Sequence, residues 1–428
     1  MTLDDARARM LDGVAPLPAE SVALDVALGR VLAEAIDSRL TLPPWDNSAM
    51  DGFAVRAADV AGASRAHPVA LDVTGEAAAG SSANAEVAAG TTVRILTGAR
   101  LPTGADAVIP VEETDAPMGV ADLPRHVEVF APRPPGAHIR RAGSDLREGY
   151  PLLDAGMHLS AAALAVAAAG GHATLRVHRA PRVAILATGN ELAAVGEPLG
   201  PDQIPDSNSV GLAAQARELS AEVRSFGIAL DDLADVVDRL RQALAWADVV
   251  VVSGGVSVGA HDVVKDAFAQ VGQVDLWRVA VQPGKPLAFG RAPAYGRTGD
   301  VLLFGLPGNP VSSFVTFELF VRPVLRRLSG HADVIGREIV RARLADAVSK
   351  SPGRRAFLRV RLERSGDGAR DGDGHGDGIG AGAWTARLAG GQDSHVLSAL
   401  AVSDGLAVVS EDDDSLPAGS EVEVIRLR

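Results

Sequence analysis

The 428-residue chain contains no cysteine. Disulfides, thiolate nucleophiles and cysteine-ligated zinc are therefore excluded outright. It also lacks any extended basic stretch, and its formal net charge is -13. A sequence-independent nucleic-acid binder needs a basic face, so no nucleic-acid partner is expected. The ten histidines show no His-x-x-His or His-Glu-x-x-His spacing, which argues against a zinc hydrolase. There is no Walker loop. Long apolar runs are missing too. The most apolar helical stretch, residues 159–169, is too short and too rich in alanine to span a bilayer, so no membrane association is expected. The opening residues Met1-Thr2-Leu3-Asp4-Asp5 are acidic and show no secretory signal pattern, which points to a cytoplasmic protein.

What is present is length, glycine and proline. A chain of 428 residues exceeds one ordinary core, and 46 Gly with 25 Pro suit several loop-rich domains. Residues 4–13 and 18–36 read as helical or partly helical, the second on apolar residues at Val22, Leu24, Val26, Leu28, Val31 and Leu32. Residues 67–130 read as short strands between Gly and Pro, a β-rich module. An alanine-rich helix over 160–169 ends at Gly170-Gly171, a plausible C-cap. From Arg182 onward strands and helices alternate to residue 328, which implies a mostly parallel sheet with helices on both faces. The last hundred residues return to strands and suggest a small barrel or sandwich. Residues 365–383 are Gly/Asp-rich low complexity, read as a flexible surface loop.

Three loops in the α/β unit carry the chemistry. Val249-Val250-Val251-Val252 runs into Ser253-Gly254-Gly255-Val256-Ser257-Val258-Gly259 and then Asp262. Gly254 and Gly255 let backbone approach an anion, and Ser257 adds a hydroxyl. Asp262 either caps the next helix or shares a cation with the anion, for which magnesium fits. Gln282-Pro283-Gly284-Lys285-Pro286 holds a lysine in a stiff turn, either as an anion contact or as a solvated charge. Leu306-Pro307-Gly308-Asn309-Pro310 places Pro310 at the first helical position. There the first-turn amides, Ser312 and Ser313 form either an anion nest or a plain strand-to-helix connection. Glu191, after Thr188-Gly189-Asn190, sits on the same strand-end edge as Asp262, and two carboxylates beside one anion again suggest a divalent cation. Asp206 and Ser207 read as N-cap residues. Strand C-terminal ends are where open α/β sheets bind ligands, so a phosphate-like or other oxyanion site is expected.

These segments together resemble the molybdopterin molybdenumtransferase family, the MoeA/gephyrin E-domain group. The carriers are residues 46–52, 96–99, 104–108, 140–145, 188–192, 253–259, 283–286 and 306–312, which spread over nearly the whole chain. The resemblance implies a multi-domain α/β plus β fold. Its parts are a central three-layer, molybdopterin-binding-like α/β domain over 181–328 and a β-rich inserted domain over 45–138. An elongated mixed domain comprises 1–44 with 139–180, and a C-terminal β-barrel covers 329–428. It also implies a reaction: molybdate and adenylylated molybdopterin bind together, the metal enters the dithiolene, and AMP leaves in a magnesium-dependent step.

Carried over by motif, Asp51, Thr97, Glu191, Asp231 and Asp262 match catalytic positions, with Glu191 and Asp262 as magnesium ligands. Asp145, Lys285, Pro286, Ser312, Arg354 and Ser394 match substrate-binding positions, to which the loop chemistry adds Gly254, Gly255, Ser257, Gly308 and Asn309. Asp51 and Thr97 would reach the α/β site across a homodimer interface. A molybdopterin adenylyltransferase and recipient molybdoenzymes are the implied partners. Some members carry lysine where this chain has Arg278 and Gln282; the first keeps the charge and the second loses it. Two other readings stand beside this one. The adenylyltransferase itself resembles residues 181–328 alone, so the additional domains argue against that activity. A gephyrin-like scaffold would not need the intact acids at 51, 191, 231 and 262.

Overall fold

The computed structural model describes residues 1–80, 86–116, 122–255, 263–364 and 384–428. Ser257, Asp262 and the 365–383 loop lie outside the described residues.

A six-stranded mixed sheet forms the centre. Its strands are β1 (Arg182–Thr188), β2 (Glu222–Ala229), β3 (Val249–Ser253), β4 (Gln273–Arg278), β5 (Pro286–Pro293) and β6 (Asp300–Leu306). The order is β2-β1-β3-β6-β5-β4. The first four are mutually parallel, whereas β5 runs antiparallel to both β6 and β4. Val249, Val250, Val251 and Val252 are fully buried, because a central strand covered on both faces takes β-branched residues on each side. Burying each such side chain is worth about 1.5–3 kcal/mol.

Helices cover both faces. On one side Leu233–Leu244 is capped by Asp232, whose carboxylate accepts from the Asp235 amide, and it buries Val236, Val237, Leu240, Ala243 and Leu244. That spacing is the i, i+3, i+4, i+7 stripe of an amphipathic helix. Its core is shared with Val263–Val271. On the other face pack Ser207–Arg217 and the helical run from Pro310 to Leu328, interrupted by a π turn at Phe317–Val321. The N-terminal helix Leu3–Leu11 joins this same core through Leu3, Ala6 and Met10.

Residues 18–36 are not helical as expected. Ala19–Ala23 is a strand paired with Thr174–His178, and only a single 3-10 turn, Leu24–Val26, follows. Of the apolar residues behind that expectation, Val22 lies in the strand and Leu24 in the turn, while Val26 and Leu28 are exposed, so they form no continuous helical face. This region, the strand Pro151–Leu153 and the helix Ala161–Ala169 share one small core. A separate five-stranded sheet contains Gly52–Val55 between Ala107–Pro110 and Thr91–Ile95, with Val69–Ala77 and His126–Val129 beyond.

At the C-terminal end, β7 (Ile339–Leu344), β8 (Arg355–Arg364), β9 (Trp384–Leu388), β10 (Gly405–Val409) and β11 (Glu421–Arg426) close on themselves. The order β8-β9-β7-β11-β10 returns to β8, giving a five-stranded barrel rather than a sandwich. Val281–Gln282 adds to its edge beside β8, tying barrel to central sheet.

Candidate active site

The C-terminal ends of β1, β3 and β6 open into a cavity of about 1050 Å³. Gly254 and Gly255 lie on its floor with φ of 96° and 62°. A Cβ at Gly254 would drive into the Thr188 carbonyl oxygen, and one at Gly255 would stand 2.9 Å from the Thr188 hydroxyl. Both positions therefore require glycine, for conformation and for space. The Thr188 hydroxyl is buried and has no hydrogen-bond partner among the described residues.

Two cations reach the cavity from one edge. Arg278 ends β4 and is paired in register with Pro286, which opens β5 directly after Lys285. The Lys285 backbone is fixed by its carbonyl, which accepts from the Val279 amide at 3.0 Å. Gln282 does not join them. Its side-chain oxygen accepts from the Ser351 amide at 3.3 Å and so serves the barrel junction. The charge lost at 282 is thus lost outside the cavity, whose lining keeps the charge at 278.

Glu191 and Asp231 line the cavity beside this floor. Asp231 is held by a reciprocal pair with Asn190. The Asn190 amide donates to the Asp231 carboxylate at 3.4 Å, and the Asp231 amide donates to the Asn190 side-chain oxygen at 3.2 Å. No three His, Asp or Glu side chains among the described residues form a metal cage. Magnesium does not need one: it keeps waters and is held by one or two carboxylates plus substrate phosphates. Glu191 and Asp231 supply hard carboxylate oxygens of the kind that suits it.

Asn208 was not visible as a site residue. Its side-chain amide donates to the Ser253 hydroxyl at 2.8 Å and to the Gly308 carbonyl at 2.7 Å. One side chain thereby ties the start of a helix to two strand-end loops. Asp206 caps that helix by accepting from the Ser209 amide, as the local sequence suggests. Asn309 carries the cavity toward the barrel: its side-chain amide donates to the Ser394 hydroxyl at 2.9 Å, and His395 lines the wall.

The structure gathers Glu191, Asp231, Gly254, Gly255, Lys285, Pro286, Gly308 and Asn309 at this one cavity. Ser312 does not line it. It is buried in the helix, and the Ser313 amide donates to the Asn309 carbonyl while the Val311 amide donates to the Ser394 carbonyl. Those two first-turn amides are taken up by protein, which removes them from the expected anion nest. Arg354 and Ser394 are not part of the lining, and Ser394 meets it through its bond to Asn309. Asp145, Asp51 and Thr97 lie outside the lining altogether. Asp51 accepts from the Thr97 amide at 2.6 Å and its hydroxyl at 2.8 Å. Those two bonds hold the exposed Asp51 carboxyl below the usual carboxylate range.

Fold and cavity together define a multi-domain α/β protein with a cleft at the C-terminal ends of its central strands. Family models cover most of the chain. That for the MoeA N-terminal region (domain I and II) matches residues 1–171, that for a probable molybdopterin binding domain 184–327, and that for the MoeA C-terminal region (domain IV) 341–427. A Mycobacterium tuberculosis protein named molybdopterin molybdenumtransferase 2 is 39% identical over 410 residues, 94% of each chain. A Haemophilus influenzae molybdopterin molybdenumtransferase is 34% identical over 429 residues, 99% of this chain and 98% of that one. The crystal structure of a molybdopterin biosynthesis MoeA protein from Pyrococcus horikoshii superposes with a TM-score of 0.77 at 32% identity, covering 100% of this chain and 99% of that one. The chain belongs to the molybdopterin molybdenumtransferase (MoeA) family.

Proposed function

We propose that this protein inserts molybdenum from molybdate into adenylylated molybdopterin and releases AMP in a magnesium-dependent step. The observation that carries the reading is the pairing of opposites around one cavity: Lys285 and Arg278 at one edge, Glu191 and Asp231 beside the glycine floor. A phosphoanhydride with its cation needs both, positive side chains for the phosphates and carboxylates for the metal. About 1050 Å³ is room for a nucleotide-sized substrate.

In this reading the Gly254-Gly255 backbone lets the phosphates settle close to the sheet edge, and the Thr188 hydroxyl supplies a donor. Lys285 and Arg278 hold the anions in place. Glu191 and Asp231, with Asp262 from beyond the described residues, would hold magnesium, which when bound would supply positive charge for the phosphate oxygens. The barrel rim at Asn309, Ser394 and Arg354 takes the second oxyanion, molybdate. Asp51, with Thr97, acts from outside this cavity, which implies a homodimer in which each copy completes the other's site. No described helix is long and apolar enough to cross a membrane, and we place the reaction in the cytoplasm, with an adenylyltransferase upstream and a molybdoenzyme as recipient.

The test is AMP release from adenylylated molybdopterin, with magnesium, with and without molybdate. Molybdate-dependent release, with a product that activates a cofactor-free molybdoenzyme, supports the reading. Tight binding without release under every oxyanion tried, tungstate included, would leave a carrier or scaffold in its place.

A further inference from the structure

Arg359 is fully buried, with 0% exposure, and heads the described side chains so enclosed by volume. It lies mid-strand in β8, where successive residues face opposite sides. Ala356, Leu358 and Val360 fill the barrel core, whereas Phe357 joins the core beneath the central sheet. Arg359 faces as Phe357 does, into the junction. No carboxylate pairs with its guanidinium among the described residues. Burial pulls its pKa down, with Asp393 offsetting part of that, yet arginine remains charged. A buried charge without a paired acid is costly and calls for a compensating role.

Its partners show that role. The guanidinium donates to the Gly391 carbonyl at 2.7 Å and the Asp393 carbonyl at 3.1 Å. Gln392 grips the same strand from the loop: its side-chain oxygen accepts from the Arg359 amide at 2.9 Å, and its amide donates to the Arg359 carbonyl at 3.1 Å. Two residues beyond Gln392 is Ser394. Its hydroxyl accepts from Asn309 and its carbonyl from the Val311 amide, and His395 follows on the cavity wall.

We propose that Arg359 is a positioning residue: it fixes the barrel loop 390–395 so that Ser394 and His395 complete the oxyanion rim of the cavity. The inference rests on the proposed function for its kinetic consequence, but not for its structural one. Hydrogen exchange reads the structural part directly. Arg359→Met should speed exchange at 390–396 while β3 stays protected, whatever the substrate; unchanged exchange there overturns the proposal.

Kinetics read the rest. Arg359→Met and Ser394→Ala should each raise half-saturating molybdate on the order of tenfold, the scale of one lost charge-assisted contact, with kcat changed less. The double variant should be no worse than Arg359→Met alone, because both act through one element. Arg359→Lys should rescue in part, since an ammonium lacks the planar fork that spans two carbonyls. Additive effects, or wild-type molybdate dependence in Arg359→Met, overturn the idea. If that variant does not fold, Gln392→Ala must reproduce both the exchange and the molybdate shift, and failure to do so overturns it equally. A wild type without molybdate-dependent AMP release would sink the proposed function and leave the exchange result to stand by itself.

Discussion

Asn208 offers the sharpest probe of how the cavity is assembled. Its amide makes two hydrogen bonds, one part-buried to Ser253 and one exposed to Gly308. Each is worth about 0.5–1.5 kcal/mol net, so Asn208→Ala should destabilise the α/β domain by roughly 1–3 kcal/mol. For a unit of this size that lowers its melting transition by about 2–4 °C per kcal/mol. Asn208→Asp loses the same donors and adds a charge facing the Gly308 carbonyl inside an anion cavity. Its stability should fall at least as far as that of the alanine variant. Its affinity for adenylylated molybdopterin should fall further, and the excess should shrink as salt screens the added charge. The assays are urea unfolding followed at the α/β transition and substrate binding at low and high ionic strength. An alanine variant with the wild-type midpoint, or an aspartate variant that binds no worse than alanine at low salt, would refute the reasoning.

Lys285→Ala should raise half-saturating molybdate by the loss of a charge-assisted contact, about 1.5–3 kcal/mol; an unchanged molybdate dependence removes Lys285 from the rim. Glu191→Gln should shift the magnesium titration of AMP release to higher concentration with the fold intact, and a normal titration would end its role as a metal ligand. Asp51→Asn tests the depressed carboxyl. The folded pKa lies below the unfolded one, so the charge stabilises the fold above about pH 4 and the gain is lost as pH falls through the native value. The melting gap between wild type and Asp51→Asn should therefore be small because the site is exposed, largest at neutral pH and closed in acid; a gap that grows on acidification contradicts this.

Much of the fold is legible because its signals are local. Four consecutive valines ending in Gly-Gly can only be a buried strand meeting a tight turn, and Asp232 and Ser160 stand where helices begin. Residues 18–36 misled because their apolar residues do not share one buried face, and the pairing of Ala19–Ala23 with a strand some 150 residues away sets the conformation. The cavity floor and its charged edges were legible for the same reason: each motif sits at its own strand end. What was not legible is who holds whom across the fold. Nothing near Asn208 announces that it bridges Ser253 and Gly308. Nor does the sequence around Gln282 show that its amide turns to Ser351 while Arg278 faces the cavity. The serines after Pro310 look like anion ligands until helix packing buries them.

Asp51 poses the remaining architectural question. Its carboxylate is exposed, is fixed by two donors from Thr97, and lies outside the lining of its own chain's cavity. Two bonds that hold a charge in the open contribute little to the stability of an exposed site, so the arrangement makes more sense as presentation of a fixed anion to something else. In a two-fold homodimer that something is the partner's cavity, and the two defects then separate. A dimer of one Asp51→Asn chain and one Lys285→Ala chain has one cavity missing both groups and one cavity missing neither. Random pairing makes half the dimers mixed, so a co-refolded equal mixture of the two variants, assayed at molybdate too low for either variant alone to turn over, should recover about one quarter of wild-type turnover. If Asp51 served its own chain's site, every cavity in the mixture would carry one defect, and activity would stay at the level of the single variants.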